Sequence, residues 1–180
     1  GATGLNALGD ILSGEINPSG RTVDTFAYDL FTNPANVWLG GMTYNDDSRT
    51  YSDYIENIYV GYKWYETADA EGFFDDVDNE YGKGYEGVVQ YPFGYGLSYG
   101  TDFSYTMTAD VPSGSALTAE SKITITVAVK NSENATATGK DVVQLYSTPE
   151  YHENGIEKSA VNLVAFAKTQ PLAPGQVQEL

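Results

Sequence analysis

Three carboxylates bracket an aromatic run. Asp53, Glu56 and Glu66 surround Tyr59, Tyr62 and Trp64. Carboxylates do general acid–base and nucleophilic work, and aromatic faces stack on pyranose rings. An acid beside a Tyr62–Trp64 platform is therefore the arrangement here that would handle a sugar. The competing reading is surface acids beside a packed strand. The chain carries 25 acidic residues, enough to set a carboxylate near almost any feature, and the packed reading is the one adopted.

The other constellations fail their own tests. His152 is the sole histidine, in Glu150-Tyr151-His152-Glu153-Asn154. It has no serine nucleophile motif beside it and no partner ligands for a metal, so it reads as a surface-loop residue. Gly82-Lys83-Gly84-Tyr85-Glu86-Gly87 matches G-x-G-x-x-G, but it neither follows a clear strand nor opens a clear helix, and reads as a flexible loop. Asp76, Asp78 and Glu80 have the spacing of the first ligands of a calcium loop. Tyr81 stands where that loop needs glycine, however, and Gly87 where it needs glutamate. Asn134-Ala135-Thr136 is a glycosylation sequon on a turn, relevant only in a secreted eukaryotic protein. No catalytic residue, cofactor-binding residue, metal ligand or cofactor is assigned.

Composition narrows the partners. The net charge of −16 makes nucleic acid and anionic membrane poor partners, because phosphate binding needs clustered Lys and Arg. Neutral glycans are compatible with it. With no cysteine there is no disulfide framework and no thiolate chemistry. No apolar run nears the roughly 18 residues of a membrane span. Nothing at the start has the form of a signal peptide, so cytoplasmic and secreted locations both stay open.

These residues must be held by a recognisable order of elements. Leu5, Leu8, Ile11 and Leu12 mark a short helix with one apolar face and Gly14 as its C-cap, a helix that needs a packing partner. Residues 22–84 read as a long excursion with little regular structure. It has short extended pieces at Ile58-Tyr62 and Trp64-Tyr65, and exposed loops at Asn45-Asp46-Asp47-Ser48 and Phe74–Glu80. Tyr91-Pro92-Phe93-Gly94-Tyr95-Gly96-Leu97-Ser98-Tyr99 reads as a packed corner, with Gly94 and Gly96 permitting φ > 0 or close approach. Beyond it the pattern alternates. Lys122–Lys130 puts Ile123, Ile125, Val127 and Val129 on one face, and strands follow at Asp141–Ser147, Leu163–Lys168 and Gln176–Leu180. Strands at this spacing predict an antiparallel β-sandwich with about four or five of its roughly seven strands present.

Four segments in order carry a resemblance. Tyr91–Tyr99 resembles the signature that opens the fibronectin-III-like domain of family 3 glycoside hydrolases. Ile11–Thr22 resembles the last turn of that family's α/β sandwich domain. Ile58-Tyr59-Val60-Gly61-Tyr62-Lys63-Trp64-Tyr65 resembles its IYVGYRYY segment, with Asn57 in place of the usual preceding glycine. Gly139-Lys140-Asp141-Val142-Val143-Gln144-Leu145-Tyr146 resembles its G-K-(D/E)-V-V-Q-L-Y strand. The resemblance implies a mainly β chain: residues 1–25 the tail of the α/β sandwich domain, 26–100 a long aromatic-rich linker, and 101–180 a fibronectin-III-like β-sandwich truncated at its C-terminus. It implies a retaining parent enzyme, of β-glucosidase or β-xylosidase type, that removes terminal β-linked sugars. The parent's nucleophile lies on a (β/α)8 barrel, placed before or after this segment according to domain order, and its acid/base on the upstream α/β sandwich. No position here matches either motif, so the chain alone is expected to be inactive. Its partners would be the remaining domains of the parent, and a neutral β-glycan or glycoside the parent's substrate. An independent carbohydrate-binding or protein-interaction module is the alternative. Such a module should be closed at both ends, whereas this chain reads as open at both.

Overall fold

The computed structural model describes residues 4–35 and 56–180. The loop Asn45-Asp46-Asp47-Ser48 and the carboxylate of Asp53 lie outside the described residues. Small antiparallel sheets dominate, with few helices, and the chain divides into two compact units.

The first unit comprises residues 1–20, 96–144 and 166–180. Helix α1 (Gly4–Leu12) forms where the apolar spacing places it. It ends in a Schellman motif. Gly14, at φ 79, sends its N–H to the Ile11 carbonyl (3.0 Å), and the Glu15 N–H reaches back to Asp10 (2.9 Å). Within the chain α1 buries no side chain. Leu5, Leu8 and Leu12 are 68%, 51% and 74% exposed.

Strands β5 (Phe103–Ala109), β6 (Ile125–Asn131) and β9 (Val177–Glu179) form a sheet in that spatial order. β6 starts later than the alternation suggests. At its foot the backbone N–H of Thr124 turns to the Asp110 carboxylate (2.9 Å), ending the regular ladder. In register, Tyr105 faces Val129, Met107 faces Val127 and Ala109 faces Ile125, which makes one apolar face. Strand β5 is hidden in sequence, because Phe103–Ala109 is rich in Ser and Thr and has no charge to mark its outer face.

At the far end of β6, Asn131 is fully buried. Its side-chain amide donates to the carbonyls of Ala137 (3.0 Å) and Leu172 (2.9 Å), and its carbonyl accepts the Asp102 N–H (3.1 Å). One side chain thus satisfies backbone groups of three loops. Asn17 does the same lower down. It donates to the carbonyls of Tyr99 and Thr138 (both 2.9 Å) and accepts the Tyr99 N–H (2.7 Å).

The second unit comprises residues 21–95 and 145–165. It is more regular than expected. The Ile58-Tyr62 and Trp64-Tyr65 segments are not extended: Asn57 (φ 51) and Gly61 (φ 57) turn the chain into helix α2 (Tyr62–Ala70). α2 ends in a second Schellman motif. Gly72 (φ 73) bonds to Asp69 (2.9 Å) and Phe73 to Ala68 (2.7 Å). Phe74–Glu80 is exposed at Asp75, Asp76, Asp78, Asn79 and Glu80 as expected, but it is anchored and partly regular. Phe74 is core, and β2 (Asp78–Asn79) and β3 (Gly82–Lys83) close a hairpin behind it. A one-turn helix α3 (Tyr85–Val88) and β4 (Val89–Tyr91) follow, and β4 pairs with β1 (Phe26–Ala27). Tyr65, Ala68, Phe74, Val88 and Val89 form the core of this unit, and Ala27, Trp64, Val77 and Tyr85 pack against it.

The packed corner expected over Tyr91–Tyr99 is met only in part: Pro92, Phe93, Gly94 and Gly96 are half-buried, while Tyr91, Tyr95, Leu97 and Tyr99 are exposed. Tyr95 N–H bonds to the Pro92 carbonyl (3.1 Å), and Gly94 takes φ 82, as the third position of a type II turn requires. Thr22 clamps the turn through the Pro92 carbonyl (2.6 Å) and the Gly94 N–H (2.9 Å). Finally, β7 (Val142–Ser147) and β8 (Asn162–Lys168) pair as a two-stranded sheet whose residues are shared between the two units.

Candidate functional site

The residues that would make a sugar platform are dispersed into packing roles. Tyr62 lies against Phe93 (centroids 4.7 Å apart) and edge-on to Tyr146 (6.0 Å), and its hydroxyl accepts the Leu163 N–H (3.0 Å). Trp64 sits edge-to-face between Tyr59 (78°) and Phe73 (65°), with its indole N–H on the Thr32 carbonyl (2.8 Å). Trp64 thus meets its neighbours edge-on, as aromatic quadrupoles prefer, and Tyr62 is covered by Phe93 at 35° and by Tyr146 at 73°, so each ring already has aromatic partners.

Two carboxylates are likewise partnered with tyrosine hydroxyls. Glu66 accepts the Tyr85 hydroxyl (2.6 Å). Burial first, and this bond second, hold the Tyr85 phenol protonated well above the ordinary tyrosine range. Glu157 accepts the Tyr59 hydroxyl (2.6 Å), and this bond, with burial behind it, pushes the Tyr59 pKa up to about 12. A general acid works best with a pKa near the operating pH. These tyrosines are shifted the wrong way, so the pairs are struts rather than proton donors. Neither was legible in sequence, because Tyr59–Glu157 spans 98 residues and Tyr85 carries no local mark. Glu56 lies in the turn before α2, where its backbone carbonyl accepts the Tyr59 N–H (2.8 Å).

His152 is exposed, 4.0 Å from the Glu150 carboxylate. The Gly82–Gly87 stretch is not a flexible loop. It is strand β3 running into α3, and a Cβ on Gly87 would meet the Gly82 carbonyl at 2.7 Å and Val77 at 2.8 Å. Gly87 serves close packing, and Gly84 (φ 57) the turn into α3. Asp78 is bonded to Lys83 (2.8 Å). Among the described residues no group of three or more His, Cys, Asp or Glu could hold a metal ion, and no helix is long and apolar enough to cross a membrane. Asn134 is exposed on the turn after β6, its N–H on Ser132 Oγ (3.2 Å).

The site's chemistry thus ends in packing, and likeness to known proteins says what is packed. No protein-family model matches the chain. Beta-glucosidase BoGH3A of Bacteroides ovatus is 33% identical over 180 residues, covering all of this chain and 20% of the relative. Beta-glucosidase A of Butyrivibrio fibrisolvens is 36% identical over 187 residues, again covering all of this chain and 20% of the relative. The crystal structure of a β-glucosidase from Paenibacillus barengoltzii superposes with a TM-score of 0.72 at 31% identity, over 97% of this chain and 16% of that one. The chain spans about a fifth of the length of the curated relatives it matches. It belongs to the β-glucosidase-like glycoside hydrolases of family 3, and corresponds to the C-terminal portion of those enzymes.

Proposed function

We propose that the chain is a non-catalytic, structural portion of a family 3 enzyme, and that the parent hydrolyses terminal β-linked sugars with retention, as a β-glucosidase or β-xylosidase. The observation that carries this is the coverage: the whole chain aligns, but with only 20% of each of two β-glucosidases. Retaining hydrolysis needs two carboxyl groups about 5–5.5 Å apart. Here Glu66 and Glu157 are each tied to a different tyrosine.

In this reading residues 1–25 are the tail of an α/β sandwich domain, 26–100 the linker, and 101–180 a fibronectin-III-like β-sandwich. Two features support it. Helix α1 presents Leu5, Leu8 and Leu12 outward, and a helix with an apolar stripe needs another element against it. The sheet β5-β6-β9 has an apolar face that is covered at Val129 but leaves Tyr105 and Met107 54% and 64% exposed, as a partly covered sandwich layer would. The role is to brace the catalytic domains.

The test compares the full reading frame with the 180-residue chain on aryl β-glucosides and β-xylosides. The full protein should turn over and the isolated chain should not. Turnover by the isolated chain that disappears in Glu56→Gln or Asp53→Asn would place catalysis inside these residues and end the structural reading.

A further inference from the structure

We propose that Asn154 is a site of spontaneous covalent modification, where the Asn154–Gly155 pair closes to a succinimide that water opens to aspartate and isoaspartate. The proposal stands on the loop between β7 and β8 and does not depend on the chain being a portion of a larger enzyme.

The step needs a particular pair of residues. The backbone nitrogen of the residue after an asparagine attacks the side-chain carbon Cγ. The new N–Cγ bond closes a ring, the backbone nitrogen gives up its proton, and the side-chain nitrogen leaves as ammonia. Water then cleaves the ring on one of two sides. Breaking the N–Cγ bond leaves aspartate in the normal backbone. Breaking the bond to the main-chain carbonyl leaves isoaspartate, with the chain now running through Cγ. A side chain on the attacking residue crowds the approach, and proline has no N–H to lose. Glycine, with no Cβ, is the most open neighbour. Asn154 is the only asparagine in the chain that glycine follows, and Asn17 and Asn33 precede proline.

The structure leaves this pair available. Tyr151, His152, Glu153, Asn154, Gly155 and Ile156 are all exposed. The side-chain amides of Asn17, Asn79, Asn131 and Asn162 are held by backbone carbonyls. That of Asn154 makes no hydrogen bond among the described residues. The turn around it also demands the reactive neighbour. A Cβ on Gly155 would stand 2.8 Å from the His152 carbonyl oxygen.

One hydrogen bond restrains the step. The Gly155 N–H donates to the His152 carbonyl (2.8 Å), and Asn154 takes φ 63, as the third position of a type II turn requires. That position has ψ of about 0°, which holds the Gly155 nitrogen away from Cγ. Ring closure therefore needs ψ to rotate and this bond to open, and exposed loop tips open at little cost. The base of the loop stays tied meanwhile. Lys158 Nζ donates to the Glu150 carbonyl (2.8 Å), and Glu157 accepts the Tyr59 hydroxyl (2.6 Å). Either product adds a negative charge to a loop that already carries Glu150, Glu153 and Glu157. Isoaspartate also lengthens the backbone between the turn and the Glu157–Tyr59 bond.

The test takes the protein expressed from its full reading frame, ages it in mildly alkaline and in acidic buffer, and digests it with trypsin. After alkaline ageing the peptide 141–158 should gain the mass of an amide-to-acid exchange, and an isoaspartyl-specific carboxyl methyltransferase should label it. Peptides 131–140 and 159–168, which carry Asn131, Asn134 and Asn162, should keep their amides. In acid, where the Gly155 nitrogen keeps its proton, the label should not form. Conversion should run about 2–12-fold more slowly than in a synthetic peptide of residues 150–158, the retardation that one net hydrogen bond supplies. Asn154→Gln, which would need a larger ring, and Gly155→Val, which crowds the nitrogen, should each lose most of the label. An intact Asn154 after the synthetic peptide has converted would overturn the proposal. So would aspartate formed without isoaspartate, which is direct hydrolysis, or equal conversion in Gly155→Val.

Discussion

Gly100 offers a sharp test of how the first unit is closed. It takes φ 61, in the left-handed region. Its carbonyl accepts the N–H groups of both Thr136 (2.8 Å) and Ala137 (3.1 Å), which fastens the turn after β6 to the strand entering β5. A Cβ at this position would overlap Thr136 Oγ1 and stand 3.4 Å from the Ala137 Cβ. Gly100→Ala therefore carries two costs. The left-handed conformation costs an L-residue about 1–2 kcal/mol, and crowding at the hydroxyl of the exposed Thr136, which can turn aside, adds up to about 2 kcal/mol. Alanine's smaller unfolded-state entropy returns about 0.4–1 kcal/mol. The net expectation is a loss of about 1–3 kcal/mol, or roughly 3–10 °C in melting temperature for a chain of this size.

Two controls separate the costs. Gly14 also has positive φ (79), but a Cβ there would meet nothing within 4 Å, so Gly14→Ala reports the conformational cost alone. Thr136→Ala removes the overlapping oxygen, so in the double variant the steric part of the Gly100 loss should vanish. A double-mutant cycle by urea denaturation should show a favourable coupling of about 1–2 kcal/mol. If Gly100→Ala costs no more than Gly14→Ala, or if the two losses at 100 and 136 simply add, the close approach of these loops is wrong.

Two further outcomes follow from buried polar groups. Asn131→Ala leaves the Ala137 and Leu172 carbonyls and the Asp102 N–H without their side-chain partner in a buried setting, and should cost about 3 kcal/mol in urea denaturation; a loss under about 1 kcal/mol would mean that water replaces the side chain. Tyr59 has its folded pKa raised to about 12 from 10.0. The unfolded chain gives up that proton first, so this contribution is complete below pH 10 and is lost as pH rises towards 12. Stability measured across that window should fall less steeply in Tyr59→Phe, and ultraviolet titration should lose one late-ionising phenol. An unchanged slope would mean that Glu157 does not hold the hydroxyl.

Most of this architecture announced itself where one local signal sufficed. The 3.6-residue spacing of Leu5, Leu8 and Leu12 marked α1, and Gly14 marked its end. The alternation through Val129 marked β6. Where two signals competed, the local one misled. Ile58–Tyr65 is β-branched and aromatic, which favours a strand, yet Gly61 and Asn57 in left-handed conformations start a helix and Gly72 stops it. Nothing within the segment says that Tyr65 and Ala68 will pack on Phe74 and Val89, and that burial outweighs propensity. The acidic run Asp75–Glu80 looked solvated throughout, although Phe74 at its edge is core.

The partners of the candidate site residues could not be read from the sequence for the same reason. Chemistry-bearing types, the acids and aromatics around Trp64, stand close in sequence, but their partners Glu157, Thr32, Phe93 and Leu163 come from 31 or more residues away. Those partners turn each polar group into a packing contact. Glu66 and Glu157 each accept a tyrosine hydroxyl through one oxygen; burial first and that bond second raise the Tyr85 pKa, and the bond first raises that of Tyr59.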